Sequence, residues 1–144
     1  MRESQEELMR RIVDRVLAYD VDGLKEAVQK ALASGIEPTS ITEEGLGKAL
    51  KTVGDAFERH QMFIVDLVSA GEAVQQVMKE LVIPAFAARK MSMKAAGRIV
   101  LGTVEGDIHS IGKDLVGAML FAAGFDVINE GEDVPTERFI QKTE

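Results

Sequence analysis

The sequence predicts an α + α/β fold, with a helical bundle over residues 1–90, a linker over residues 91–97 and an α/β unit over residues 98–144. Three observations lead to this prediction. Apolar residues recur at helical spacing through the first range. Basic and small residues then lie between Arg89 and Gly97. Beyond them comes a short β-branched run, which is typical of a buried parallel strand.

The composition excludes several classes of protein. A chain with 46% hydrophobic and 28% charged residues is globular rather than disordered. Its net charge of −7 argues against nucleic acid or an anionic membrane as the main partner, because phosphates attract Lys and Arg. No apolar run is long enough to span a bilayer and the N-terminus has no signal-peptide pattern, so we expect a cytoplasmic protein. With no cysteine and two histidines, any metal site must be poor in protein ligands.

Four helices are predicted before the linker. Gly35 is expected to end the second helix in a left-handed conformation. Residues 36–41 are predicted to form a connector, and the third helix to open at Thr42. A break at residues 60–63 precedes the fourth helix, which Pro84 is expected to end or kink. Helices joined by such short connectors indicate an antiparallel bundle.

The α/β unit has the pattern of a strand, a helix and a second strand. We predict strands over residues 99–104 and 125–129, a helix over residues 111–123, and the start of another helix at Pro135. This is the opening of a doubly wound sheet, in which ligands sit beyond the carboxyl ends of the strands. The first helix is expected to turn four apolar side chains inward: Leu115, Val116, Met119 and Leu120.

The loop after the first strand is the candidate site, and two nucleotide-binding motifs fail there. A P-loop needs four residues between its glycines and a Ser or Thr after its Lys. Here five residues separate Gly106 from Gly112, and Asp114 follows Lys113. The glycines also lack the G-x-G-x-x-G spacing of a dinucleotide-binding fold.

The same loop holds a histidine two residues after an aspartate, at the turn from strand to helix. One imidazole nitrogen of His109 can face a metal while Asp107 accepts the proton of the other nitrogen, which fixes the tautomer. Gly112 would let a bulky planar ligand approach the first helical turn. A single protein ligand suits a macrocyclic cofactor that supplies the other metal ligands itself.

The run Gly106-Asp107-Ile108-His109-Ser110-Ile111-Gly112-Lys113 resembles the D-x-H-x-x-G motif of cobalamin-binding domains. The match extends in character through residues 125–128 and 133–135. The helical part is similar to the cap that precedes this domain in methionine synthase and in the corrinoid proteins of methyltransferase systems.

In that cap, a stretch of the form G-x-x-F…F-L-P-E-L joins helices three and four. Here it reads Gly54-Asp55-Ala56-Phe57 and Phe63-Ile64-Val65-Asp66-Leu67, with Val65 in place of the usual Pro and Asp66 in place of the usual Glu. The resemblance therefore covers essentially the whole chain, with a departure at the junction that would lie over the cofactor.

The resemblance implies a four-helix bundle cap followed by a truncated flavodoxin-like, doubly wound cobalamin-binding domain. It implies cobalamin, as methylcobalamin or another corrinoid, with His109 as the protein ligand to cobalt. The residues expected to contact the cofactor are Asp107, Ile108, His109, Ser110, Ile111, Gly112, Met62 and Phe63.

The function implied is that of a corrinoid methyl carrier, a subunit that is not itself catalytic. A substrate-specific methyltransferase would place a methyl group on cobalt, and a second methyltransferase would pass it to tetrahydrofolate or a thiol; a reductive activase is a further partner. Three alternatives stay open. They are the cobalamin-binding module of a methionine synthase, a cobalamin-dependent sensor, and a flavodoxin-like domain without a corrin.

Individual residues also have alternative interpretations. Met62 and Phe63 are either part of the bundle core or an apolar lid over the cofactor. Ser110 is the expected N-cap of the helix, whereas His60 and Lys113 are expected to be solvated.

The α/β unit is expected to be incomplete, since only its first two strands are recognisable. The first strand would then present an unpaired apolar edge, and such edges recruit other chains. From this we expect the α/β unit to be either mobile or paired with a second copy of the chain, and cobalamin to be retained weakly or not at all.

Overall fold

The computed structural model describes residues 3–91 and 95–144, except for the side chains of Leu115, Ala118 and Ala122. The described residues up to Met91 form one compact unit and those from Ala95 form a second. Positions 92–94 of the predicted linker lie outside the described residues. No helix in the described ranges is both long and apolar enough to cross a membrane.

The first unit is helical throughout its described range. Its helices are α1 (Gln5–Leu17), α2 (Val21–Ala33), α3 (Pro38–Ser40), α4 (Lys48–Glu58), α5 (Ile64–Val77) and α6 (Ile83–Ala88). Two π-helical segments, Ile41–Gly47 and Met78–Val82, join α3 to α4 and α5 to α6. Helix α1 packs against α2, α4 and α5, and α5 packs against α2 and α4. The largest fully buried side chains are aliphatic: Leu8, Ile12, Val16, Leu24, Val28, Ile41, Leu46, Val53, Val74, Val77 and Val82.

Two helix boundaries differ from the sequence predictions, and both involve proline. The predicted connector at residues 36–41 is wrong in its second half, because helix α3 already begins at Pro38. A proline is favourable in a first turn, where its missing N–H has no intrahelical partner to lose. Pro84 does not end the fourth helical stretch, which continues to Ala88. It follows a π-helical segment, where the i to i−4 hydrogen-bond pattern is already interrupted.

The second unit contains a two-stranded parallel sheet. Its elements are β1 (Arg98–Leu101), α7 (Ile111–Ala122), β2 (Asp126–Asn129) and α8 (Thr136–Thr143). The register runs from Arg98 opposite Asp126 to Leu101 opposite Asn129. An isolated parallel bridge between Val104 and Val134 continues the pairing beyond both strands. The described chain is thus mostly helical with one small parallel sheet.

Helix α7 turns a different face to the sheet than its apolar pattern predicted. The side chains of Val116 and Met119 are 46% and 51% exposed, so their predicted inward orientation is wrong. Gly117 is buried instead, and a Cβ built there would lie 3.2 Å from Cδ2 of Leu101. A glycine at this point lets the helix approach β1 closely. The predicted inward position of Leu115 lies outside the described side chains.

Helix α8 packs beside the end of β1 through an aromatic ring and is ion-paired to a glutamate that follows β2. A Cβ built on Gly102 would lie 2.8 Å from Cζ of Phe139, so the ring occupies the space that any larger residue would need. The Glu130 side chain is 8% exposed and lies 3.3 Å from Arg138 and 3.6 Å from Lys142. The segment that follows β2 is therefore attached to the end of β1.

Candidate functional site

The candidate site lies in the loop between β1 and α7, at the carboxyl end of the sheet. There the β1–α7 loop and the β2–α8 loop are hydrogen-bonded backbone to backbone. The N–H of Thr103 donates to the carbonyl of Gly131, and the N–H of Val134 donates to the carbonyl of Thr103, both at 2.9 Å. In open α/β sheets this edge is where ligands bind.

Asp107 and His109 form a closed pair within this loop. One carboxylate oxygen of Asp107 lies 2.6 Å from Nδ1 of His109 and also accepts the backbone N–H of His109 at 2.9 Å. These hydrogen bonds, the backbone one foremost, hold the pKa of Asp107 below its usual value. An ionised carboxylate can only accept, so this contact places a ring proton on Nδ1 and leaves Nε2 as the ligating nitrogen of the neutral ring.

The ring of His109 is exposed although its backbone is anchored. The side chain is 94% exposed, so Nε2 is accessible to a ligand. The hydroxyl of Thr103, a buried residue, donates to the carbonyl of His109 at 2.6 Å. Asp107 and Thr103 together fix both the ring and the main chain of the residue that would bind a metal.

The surroundings of His109 are apolar and open. Ile108 and Ile111 are 75% and 65% exposed, which is unusual for side chains of this size. At Gly112, no heavy atom lies within 4 Å of the position that a Cβ would take. These residues fit a flat, largely apolar cofactor whose metal accepts one protein nitrogen. Ser110 stands at the N-cap position of α7, but its side chain makes no capping hydrogen bond.

Two residues near the site were not predicted from the sequence. The prediction that Lys113 is solvated is wrong: its side chain is 9% exposed, with Nζ 2.8 Å from the side-chain oxygen of Asn129 and 2.5 Å from Asp114. Asp133 was recognised only as the first residue of the stretch at 133–135, and no contact was predicted for it, yet its carboxylate accepts the N–H of Gly106 at 2.7 Å. Both contacts join segments far apart in sequence, so periodicity carries no signal for them. The Asp-Val-Pro run at residues 133–135 is the one local sign of a special turn.

The other predicted site residues belong to the helical unit. Phe63 is 77% exposed and Met62 is half-buried, so Phe63 is not part of the core of this unit. The carboxylate of Asp66 accepts the N–H of Phe63 at 2.8 Å and so fixes the start of α5. His60 is exposed at the end of α4, as expected.

Comparison with known proteins gives one family and several relatives. The family described as "B12 binding domain" matches residues 8–81, which lie in the helical unit. Trimethylamine corrinoid protein 1 of Methanosarcina acetivorans is 40% identical over 139 residues, which cover 96% of this chain and 64% of that protein. The chain therefore spans less than two thirds of the length of this curated relative.

Solved structures similar to the chain include two from Methanosarcina barkeri. The methanol:cobalamin methyltransferase complex of Methanosarcina barkeri matches with a TM-score of 0.82 and 24% identity, over 97% of this chain and 53% of that one. The monomethylamine corrinoid protein of the same organism matches with a TM-score of 0.58 and 32% identity, over 96% and 64%. At its level of identity the first match is evidence of the fold alone.

The described chain is mostly helical with a small parallel sheet, and its candidate site presents an exposed histidine that is hydrogen-bonded to an aspartate. The chain belongs to the B12 binding domain family. This confirms the family identified from the residues, and with it a cobalt corrinoid as the cofactor.

Proposed function

We propose that the chain carries a methyl group on a corrinoid, as the carrier subunit of a methyltransferase system. The Asp107–His109 pair is the observation that carries this proposal, because it orients an exposed imidazole whose second nitrogen is accessible to a ligand. The name of the relative in Methanosarcina acetivorans supports a methylated amine as the methyl donor. These relatives favour the carrier over a methionine synthase module, a sensor or a domain without a corrin.

The residues of the loop have separate roles in this proposal. When bound, the corrinoid supplies the cobalt on which the methyl group is carried. His109 offers Nε2 as the protein ligand to that cobalt, and Asp107 retains the Nδ1 proton and so keeps the ring in the ligating tautomer. Ile108 and Ile111 offer apolar surface to the corrin.

The helical unit is proposed to be the cap of the cofactor, and the second unit to be part of a flavodoxin-like cobalamin-binding domain. The family match within the helices and the exposure of Phe63 at the start of α5 support a cap. Met62 and Phe63 would then form its apolar lid. Ser110 and Gly112 would contact the cofactor through their backbone.

The proposed partners are a substrate-specific methyltransferase, a methyltransferase that delivers the methyl group to tetrahydrofolate or a thiol, and a reductive activase. The solved methanol:cobalamin methyltransferase complex supports such pairing for a protein of this fold. Pairing of two copies through β1 stays a prediction.

Ligation is tested by the cobalt(II) paramagnetic spectrum of the chain loaded with excess cobalamin. Hyperfine splitting from a histidine nitrogen is expected, and it should change when histidine is isotopically labelled. His109→Ala should abolish this signature, whereas His60→Ala removes the other histidine and should leave it intact. A spectrum indifferent to both labelling and His109→Ala would contradict the ligand assignment.

Methyl transfer is tested separately by mixing the loaded, reduced protein with a methylamine methyltransferase and its amine. The absorbance of the corrinoid should change with a methylated amine and not with the buffer alone. No change with any methylated amine would contradict the proposed donor class.

A further inference from the structure

The β2–α8 loop contacts the histidine-bearing loop at several backbone atoms. Asp133 makes two of these contacts: its carboxylate accepts the N–H of Gly106 at 2.7 Å, and its own N–H donates to the carbonyl of Asp107 at 3.0 Å. Asp133 therefore binds the two residues that immediately precede the Ile108–His109 dipeptide.

The backbone of Asp133 is held in a conformation that suits this double contact. Its φ is 51°, in the left-handed region that non-glycine residues rarely adopt and that Asp tolerates better than most. Gly106 on the opposite side also has a positive φ, of 86°. Two backbone positions of this kind facing each other indicate that the contact is specified by both loops.

Thr103 completes the attachment from the strand side. Its hydroxyl holds the carbonyl of His109, and its N–H and carbonyl bind Gly131 and Val134, which flank Asp133 closely in sequence. Asp133 thus holds the main chain before the pair, while Thr103 holds the carbonyl of His109 and is itself bonded to residues 131 and 134.

We propose that Asp133 is a positioning residue for His109, with Thr103 as its counterpart in the β1–α7 loop. By fixing Gly106 and the carbonyl of Asp107, Asp133 sets where the Asp107 carboxylate meets Nδ1 and hence where Nε2 points. This inference rests on the proposed role of His109 as the cobalt ligand. It adds that the β2–α8 loop, and not the D-x-H-x-x-G run alone, determines the geometry of that ligand.

Two substitutions at Asp133 separate the effect of its side-chain acceptor from the effect of its positive φ. Asp133→Gly tolerates the positive φ but loses the acceptor for Gly106. Asp133→Asn keeps an acceptor oxygen and tolerates the same φ. Asp126→Ala removes a carboxylate that pairs with Arg98 at the other end of the sheet, so it controls for loss of a charge in the same unit.

The first readout uses the protein without cofactor. In Asp133→Gly the amide of Gly106 should exchange with solvent at least about tenfold faster, because its hydrogen-bond acceptor is lost. The nitrogen shifts of His109 should show a smaller share of the Nδ1–H tautomer. Asp133→Asn and Asp126→Ala should stay close to the wild type. Unchanged exchange and tautomer in Asp133→Gly would overturn the proposal.

A second pair of variants, at Thr103, provides the test if Asp133→Gly fails to fold. Thr103→Val removes the hydroxyl that holds His109, whereas Thr103→Ser keeps it. A shift in the His109 tautomer in Thr103→Val but not in Thr103→Ser supports the proposal that the main-chain contacts around the Asp107–His109 pair position the ring. Equal behaviour of Val and Ser would overturn it.

The loaded protein then distinguishes this inference from the proposed function. With cobalamin bound, the fraction of cobalt(II) that shows histidine hyperfine splitting should fall in Asp133→Gly and be retained in Asp133→Asn. If the wild type itself shows no such splitting, the proposed function fails while the effects in the cofactor-free protein still decide the role of Asp133. If the wild type shows splitting that Asp133→Gly retains in full, the positioning role fails alone.

Discussion

The ammonium nitrogen of Lys113 lies 2.8 Å from the side-chain oxygen of Asn129, which joins the first turn of α7 to the last residue of β2. The amide of Asn129 in turn donates to Asp114 at 3.0 Å, and its oxygen also accepts the N–H of Gly131. The side chain of Lys113 is largely buried, and its ammonium group is paired with two oxygens, one from Asn129 and one from Asp114 at 2.5 Å, as a buried charge requires.

Removing one partner of Lys113 should destabilise the second unit. We expect Asn129→Leu to lower the free energy of unfolding by about 1–3 kcal/mol, since a largely buried charged donor loses an acceptor. The double variant Lys113→Met/Asn129→Leu should recover part of this loss, because the charge is removed as well. Hydrogen exchange of the β2 amides measures the stability of the single and the double variant. Substitution of the exposed Gln141 by Ala serves as the control. A double variant less stable than Asn129→Leu would contradict this account.

Acid should weaken the same cluster through Asp114. Burial raises the pKa of Asp114, but hydrogen bonds from Lys113 and Asn129 outweigh it and leave the pKa below the ordinary value of 3.8. Because the folded-state pKa is depressed, the contribution to stability is complete above pH 3.8 and is lost as the pH falls through the folded value. Asp114→Asn should therefore flatten the decline in stability at low pH. Equal declines for both proteins in urea unfolding would contradict this.

Gly102 should not tolerate a side chain while Phe139 is present. The Cβ of Gly102→Ala would meet the Phe139 ring at 2.8 Å, and the expected cost is about 1–3 kcal/mol of unfolding free energy. Adding Phe139→Leu should restore much of it by shortening the side chain that collides. Gly112→Ala is a control for stability, since nothing lies within 4 Å of its Cβ position. Thermal unfolding compares the wild type, Gly102→Ala, Phe139→Leu and the double variant, with Gly112→Ala as control. Additive effects of the two substitutions would exclude the contact.

The exposure of Phe63 predicts a surface role for it. Phe63→Ala should change the free energy of unfolding by no more than about 0.5 kcal/mol, because the side chain is 77% exposed. Leu67→Ala, one turn later in α5 and 3% exposed, should cost about 2–5 kcal/mol. Denaturant unfolding compares the two. If Phe63 also forms the lid, Phe63→Ala should make the corrin of the loaded protein more accessible to a soluble quencher.

Short sequence patterns predicted those structural features that depend only on residues close together in the chain. The spacing of apolar residues located the helices of the first unit, and Gly35 adopts the predicted positive φ. The two-residue spacing of Asp107 and His109 predicted a side-chain contact, which the structure has at 2.6 Å. These features need only a few adjacent positions to be specified.

What the sequence did not predict depends on contacts between distant segments. Lys113 was expected to be solvated because a lysine in a first turn usually is, but the end of β2 supplies Asn129 as its partner. Val116 and Met119 were expected to be inward, yet a glycine decides which face of α7 approaches β1. Asp133 acts across 27 residues on Gly106. Such pairings follow from strand register, which periodicity does not reveal.

The two π-helical segments, Ile41–Gly47 and Met78–Val82, have a consequence for how relatives of different length should be aligned. A π-helical turn accommodates an extra residue within a helix that otherwise keeps its direction. Deleting one residue inside either segment should restore ordinary α-helical turns and leave the buried faces on both sides in phase. The same deletion in the middle of α5 would rotate everything after it by about 100° and move Phe86 out of the core. Single-residue gaps between homologues are therefore expected at these two places, as changes of length without a change of fold.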